Sequence, residues 1–330
     1  MRLRTKKKVF RDALAEQTGA FDPWLLIYNS VRYVNPNATD QVGFVTNQQH
    51  LASRTLNPHD DLGELFLENT KFHVGRTEWS ASIPEYFSSF LMPLLALSGS
   101  ESIESSEVVS LPEPSPLEVS LGELLQRRHS VRQFSGDPLE LEDLSAVLHA
   151  AAGITHKSSG RPMDKDVSIP MFQRSVPSAG GLYPIDCYCI ALRVRPLAPA
   201  VYKYMPHKHA LAKIAAESPA DAFLSGLLGL ESLGIDGKRV AAILAFAGNP
   251  QKLVRKYGPR GVRYLLLETG MISMAANLAA GALGYGTLDY QYFVDDRLRD
   301  SLSLSGKPHQ LLHLLLLGWP AESGSEGSHV

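Results

Sequence analysis

Four short stretches carry residues whose types and spacing could do chemistry. RRHSVRQFS sets Arg127, Arg128 and Arg132 around one hydroxyl, Ser130. Guanidinium groups bind phosphate through paired donors, and a serine adds a short hydrogen bond; the same cluster also reads as a solvated face. VPSAGGLYP places Pro177, Ser178, Ala179, Gly180, Gly181 and Leu182 ahead of a strand-like run. Adjacent glycines make a tight turn, or leave backbone bare enough to lie against a flat ring with Ser178 at its edge. VRKYGPRGVRY holds Lys256 and Tyr257 between Arg255 and Arg260. Neighbouring positive charge predicts a lowered pKa for both, which suits proton transfer; the bland reading is a charged loop before a helix. GALGYGT brings Leu283, Gly284, Tyr285 and Gly286 after a helical run. It reads as a helix end and a turn, since a dinucleotide fingerprint needs a strand before its first glycine.

Other chemistries find little support. His207 and His209 form an HxH on a probable turn without a neighbouring acid, so no metal site is expected. The chain's two cysteines, Cys187 and Cys189, lie two apart on one predicted strand and share a face. They read as core thiols in a reducing cytoplasm. A net charge of −2 gives no reason to expect nucleic acid as partner. The basic start, MRLRTKKKVFR, reads as a solvated tail or a docking surface for an acidic peptide, and no apolar core follows to make a signal peptide. The most apolar stretch, Tyr264 to Leu283, carries Glu268 and Asn277. A buried helix suits it better than a membrane span.

The elements that must position these residues follow from periodicity. Residues 98–119 are rich in Ser, Glu and Pro, which is linker chemistry. They separate a mostly helical segment, 1–97, from a domain at 120–320; a disordered tail is expected at 321–330. Ser120 and Glu123 have capping-box spacing for a first helix. A second is expected from Asp137-Pro138, with Leu141, Leu144, Val147, Leu148 and Ala151 on one face. Residues 155–174 read as a long loop. Strands are expected at 186–194, 200–204, 239–247 and 311–317, and a long helix at 259–283. The order predicts an α+β fold, a mainly antiparallel sheet flanked by helices.

These motifs, in this order, resemble the FMN-dependent nitroreductase-fold enzymes, and within them the SagB-type branch, the thiazole/oxazole-forming dehydrogenases of ribosomal peptide modification. The resemblance covers roughly 120–320 and is faint over the first hundred residues. It implies a nitroreductase-like fold and FMN, held in a homodimer. Arg127, Arg128, Ser130 and Arg132 would hold its phosphate and ring edge. Pro177 to Leu182 would line the isoalloxazine across the dimer interface, and Leu283 to Gly286 would put backbone donors near flavin N5. Helix 259–283 would form much of the dimer contact through Gly270, Ser273, Ala276 and Ala280, and Lys256 and Tyr257 match the catalytic pair. The implied reaction is oxidation of a thiazoline or oxazoline in a precursor peptide delivered by a cyclodehydratase. Residues 155–174 would act as a lid and 1–97 would recognise the leader. Reduction of dehydroalanine-type double bonds, nitro groups or quinones is the alternative, and a flavin-free scaffold a further one. One departure stands out. GWPAESGSEGSHV lacks the basic residue that relatives carry after the last strand, which leaves Lys252 or Lys307 as candidate substitutes.

Overall fold

Alternation along the strands builds a sheet with two different faces. In the computed structural model, residues 66–67, 70–71, 107–160, 169–214 and 220–321 are described. The strands are β1 (Val108–Ser110), β5 (Ile185–Ala191), β7 (Ala200–Met205), β8 (Ala210–Lys213), β9 (Ala242–Gly248), β10 (Gly286–Tyr290) and β11 (Gln310–Gly318). They form one sheet in the order β1-β8-β7-β5-β9-β11-β10, every neighbouring pair antiparallel. Cys187, Cys189, Leu244 and Phe246 point to one face. Tyr188, Ile190, Ile243 and Ala245, of opposite parity, point to the other. Every residue of β9 is buried, because a central strand is covered on both sides. The first face carries α2 (Leu141–Ala152) and α5 (Gly261–Ala282); the second carries α3 (Ala220–Leu224) and α6 (Asp295–Ser301). Both cysteines are free and buried, and burial pushes the Cys189 thiol up to about 12. The expected α+β architecture, a large antiparallel sheet flanked by helices, is therefore present.

The chain divides into two compact units, Met1–His73 and Val74–Val330. The expectation of helices over 1–97 lies almost wholly outside the described residues, as does the expected tail beyond Ala321. Within the stretch read as a linker, Val108–Ser110 is a strand on the sheet's edge, with Val108 opposite Ala212. Three residues paired with a segment a hundred positions away leave no local signature.

Three further expectations are corrected. The long loop at 155–174 contains a hairpin, β3 (Ile154–Gly160) against β4 (Ile169–Arg174), with Lys157 opposite Phe172. Residues 155–159 are all exposed, so the strand shows no apolar alternation. The second helix starts at Leu141 and not at Asp137-Pro138, because β2 (Leu139–Glu140) pairs in parallel with β6 (Val194–Arg195). The helix expected over 259–283 begins at Gly261. Before it runs α4 (Pro250–Tyr257), capped by the Asn249 side chain accepting from the Gln251 N–H, with Pro250 in the first turn. Gly258, at φ 58°, ends α4. Lys256 and Tyr257 thus stand on the last turn of a helix, not on a loop.

α5 buries Leu265, Glu268, Ile272, Ala276 and Ala280 within its own chain. By length and composition Pro250–Ala282 could cross a membrane, yet half of its apolar window is buried in the domain. Ser273, Ala276 and Ala280 are packed inside this chain and are not available to a partner; of the small residues singled out, Gly270 alone faces outward into open space. The outward stripe is Leu266, Leu267, Met271 and Met274, at 51%, 64%, 42% and 37% exposure.

Candidate functional site

Two clusters and a polar network between them use the residues singled out above. The first cluster forms where α1 (Leu121–Arg127) ends. The Ser120 side chain accepts from the Glu123 N–H, as the capping box requires, and the helix delivers Arg127 and Arg128 to its C-terminal end. Val131 then donates its N–H to Thr287 O at 2.8 Å, bringing the arginine segment alongside β10. The result is a cavity of about 200 Å³ lined by Arg127, Arg128, Gly281, Gly284, Tyr285 and Gly286, among others. Gly281, Gly284 and Gly286 leave part of its wall as backbone. At Gly286 a Cβ would fall 2.7 Å from Val131 Cγ2, and Gly284 has φ +88°. Two arginines beside glycine backbone fit a phosphate group, the Arg127 guanidinium being paired with Glu123 at 3.3 Å. Ser130 and Arg132 are exposed and do not line this cavity. The Tyr285 side chain points away from it, donating to Asp143 Oδ2 at 2.6 Å and packing on Trp319. Neither Lys252 nor Lys307 lines it.

The second cluster gathers the glycine pair and the Lys-Tyr pair. Gly180 and Gly181 both take left-handed φ, +65° and +67°, which explains why two glycines stand together. Gly180 lies directly on the pair: a Cβ there would fall 2.4 Å from Lys256 Nζ and 2.6 Å from Tyr257 Oη. Lys256 is 1% exposed beneath it. Burial lowers the Lys256 pKa. Burial, with Tyr264 beside it, raises that of Tyr257. The expectation that positive neighbours would lower both is thus corrected for the tyrosine, where desolvation dominates. Glu268 of α5 joins this cluster, accepting from Ser178 Oγ at 2.8 Å and from the Ala179 N–H. Burial pushes its carboxyl up to about 7, against the pull of Ser178, Arg174, Ala179 and Lys252. Pro177 is exposed at the start of the turn, and Leu182 is fully buried under its end.

Gly180→Ala tests the contact. The methyl must move an amine and a phenol while holding a strained φ, so a stability loss of more than about 1 kcal/mol is expected. Gly181→Ala, with nothing within 4 Å, carries only the backbone strain. Urea denaturation of the two variants reads the difference. Equal losses would show that Lys256 and Tyr257 yield freely.

Between the clusters runs a network that sequence reasoning missed. The Asp289 carboxylate accepts from Ser273 Oγ at 2.6 Å, Asn277 Nδ2 at 3.2 Å and His313 Nε2 at 2.7 Å. Thr287 donates to Asn277 Oδ1, and Gln291 bonds His313. Burial would raise Asp289, but His313, Ser273 and Asn277 hold it below the usual carboxylate range. Asp289, Gln291 and His313 border a second cavity of about 420 Å³, with Asn277 and Gly270. Asn277 also lines the arginine cavity, so the two cavities adjoin at this residue of α5. The one signal available was polar residues, Ser273 and Asn277, four apart in an apolar helix.

The two clusters do not share a cavity. Glu268 and Gly281 mark them along α5, and thirteen residues of helix span about 20 Å. His207 and His209 serve elsewhere: His209 bonds Tyr204 and Ser145, and His207 packs edge-on against Phe172.

The profile of the nitroreductase family matches residues 125–319, well over half of the chain. A nitroreductase homologue of Methanocaldococcus jannaschii is 30% identical over 206 residues, covering 62% of this chain and 96% of the relative. A solved nitroreductase homologue of Ralstonia eutropha superposes at a TM-score of 0.52 with 23% identity, over 67% of this chain and 92% of that one. A chain of the E. coli microcin synthetase McbBCD complex with truncated pro-MccB17 overlays at 0.49 and 21% identity, over 90% and 98% of the two chains, a score too low to bear on function.

Proposed function

The chain belongs to the nitroreductase family, and from that premise we propose that it is an FMN-dependent azoline oxidase. It would remove two hydrogens from a thiazoline or oxazoline in a ribosomally made peptide, leaving the aromatic thiazole or oxazole. The observation that carries this reading is the Lys256–Tyr257 pair seated against Gly180. The order of the four motifs, similar to the SagB-type enzymes, supports it.

The residues present fit the cofactor. Arg127 and Arg128 would hold its phosphate, and the cavity adjoining at Asn277 would take the rings. FMN, when bound, supplies the acceptor for the hydride that leaves the β carbon of the azoline. Lys256, whose neutral form burial favours, takes the proton from the α carbon. Tyr257, held protonated, donates a hydrogen bond to the ring nitrogen.

A single chain keeps the turn beside its Lys-Tyr pair and its arginine cavity at points of α5 about 20 Å apart. In a two-fold dimer, residue i meets j and j meets i. Two α5 helices crossing antiparallel on the Leu266, Leu267, Met271, Met274 stripe would bring the turn of one chain to the arginine cavity of the other. The homodimer, a precursor peptide and a cyclodehydratase complex in the cytoplasm are the partners of this reading, with residues 1–97 reading the leader.

Purified protein should be yellow and release FMN on denaturation; a colourless protein, or FAD, contradicts the reading. Arg128→Ala should weaken FMN binding by about tenfold to a hundredfold, the worth of a charge-assisted bond, followed by quenching of flavin fluorescence. Unchanged affinity would put the phosphate elsewhere. The second reading, flavin-dependent reduction, is favoured by the name of the Methanocaldococcus relative. Mass spectrometry of the treated peptide separates them: two hydrogens lost, or two gained at the expense of a nicotinamide.

A further inference from the structure

Glu268 is a costly residue for its position. It sits on the buried face of α5, 3% exposed, among positions held by Leu265 and Ile272. A helix that needed only packing there would carry an apolar side chain, since an ionisable group in a core is stable only when its bonds are made. The bonds of Glu268 go to a turn ninety residues earlier in the chain: Ser178 Oγ donates at 2.8 Å and Ala179 donates its N–H. Ser178 passes the restraint on, accepting from the Tyr183 N–H at 2.9 Å. One carboxyl group therefore orders the backbone from Ser178 to Tyr183, including both left-handed glycines. Gly180 within that span presses on Lys256 Nζ and Tyr257 Oη.

We propose that Glu268 is the positioning residue of the Lys256–Tyr257 pair, clamping the Ser178–Gly181 turn onto it from α5. This rests on the catalytic reading of that pair. Glu268 acts through the turn. An ionised carboxylate accepts from both donors, whereas a protonated one has its own hydroxyl to place and holds the turn less firmly. Arg174 on β4 and Lys252 on α4 are the cations that face it, and burial is the larger opposing effect.

The test is Glu268→Gln in the full, flavin-loaded chain, read by amide hydrogen exchange. At pH 8 the amides of 178–183 should exchange about tenfold faster than in the parent, the loss of one charge-assisted bond, with the amides of β5 and β9 unchanged. Turnover should fall about tenfold in kcat with KM little changed. If the glutamine variant does not fold, Ser178→Ala removes one donor of the clamp and should move the same amides in the same direction. Unchanged exchange in the folded variant overturns the clamp; faster exchange with full kcat overturns the positioning role. Failure of the catalytic reading shows separately, as full turnover by Lys256→Ala.

Discussion

Lys256→Ala is expected to keep its flavin and lose azoline turnover by about a thousandfold, the usual worth of a positioned proton-transfer group. The reason is local. Lys256 is buried on the last turn of α4, and its burial favours the neutral amine that a base requires. Its distance from the arginine cavity keeps phosphate binding out of the effect. Tyr257→Phe should cost less, about tenfold to a hundredfold, since it removes a hydrogen-bond donor and leaves the base. Stopped-flow spectra decide the matter: flavin absorbance should bleach on mixing with an azoline peptide in the parent and persist in Lys256→Ala. Equal bleaching rates would remove the lysine from the chemistry. Loss of flavin from the variant would show a structural role.

The second large effect is a gain. Arg128→Ala chains, impaired in flavin binding, and Lys256→Ala chains, impaired in turnover, should together restore activity at limiting FMN when co-expressed with different tags and purified as mixed dimers. If each site takes its arginines from one copy and its Lys-Tyr pair from the other, a mixed dimer holds one doubly damaged site and one intact site. The purified mixed dimers then carry about half of the parental sites. A site lying within one chain predicts none, because every copy carries a defect. The about 20 Å of helix between Glu268 and Gly281 is the reason to expect the first outcome. Leu267→Glu, which puts a charge on the most exposed residue of the α5 stripe, should abolish pairing and flavin retention together. Flavin kept by a monomeric variant would sink the shared site.

Local features of this fold could be read in advance, and distant pairings could not. The Ser120 cap, the buried thiols on one strand parity and the double glycine each follow from a residue's own chemistry, and each stands in the structure as that chemistry requires. The β3–β4 hairpin escaped because residues 155–159 of β3 are polar and exposed on both faces, and β1 because its partner lies a hundred residues on. α4 had its signal, Asn249 before Pro250, masked by the basic run that follows. At the site, the arginines and glycines announce themselves by type and number. Glu268 and Asp289 do not, since a lone acid becomes informative only when the fold shows which donors meet it.

Val108–Ser110 closes one side of the sheet against β8, and Leu111 continues it by donating its N–H to His209 O at 3.0 Å. Its removal therefore reaches beyond a few residues. A fragment cut to begin at the first helix, Leu121, would bare the backbone groups of Ala210–Lys213, and an uncovered apolar strand margin recruits other chains. Such a fragment should collect in inclusion bodies, whereas one beginning before Glu107 should remain in solution. The stretch that resembles a tether in composition acts as the hem of the sheet.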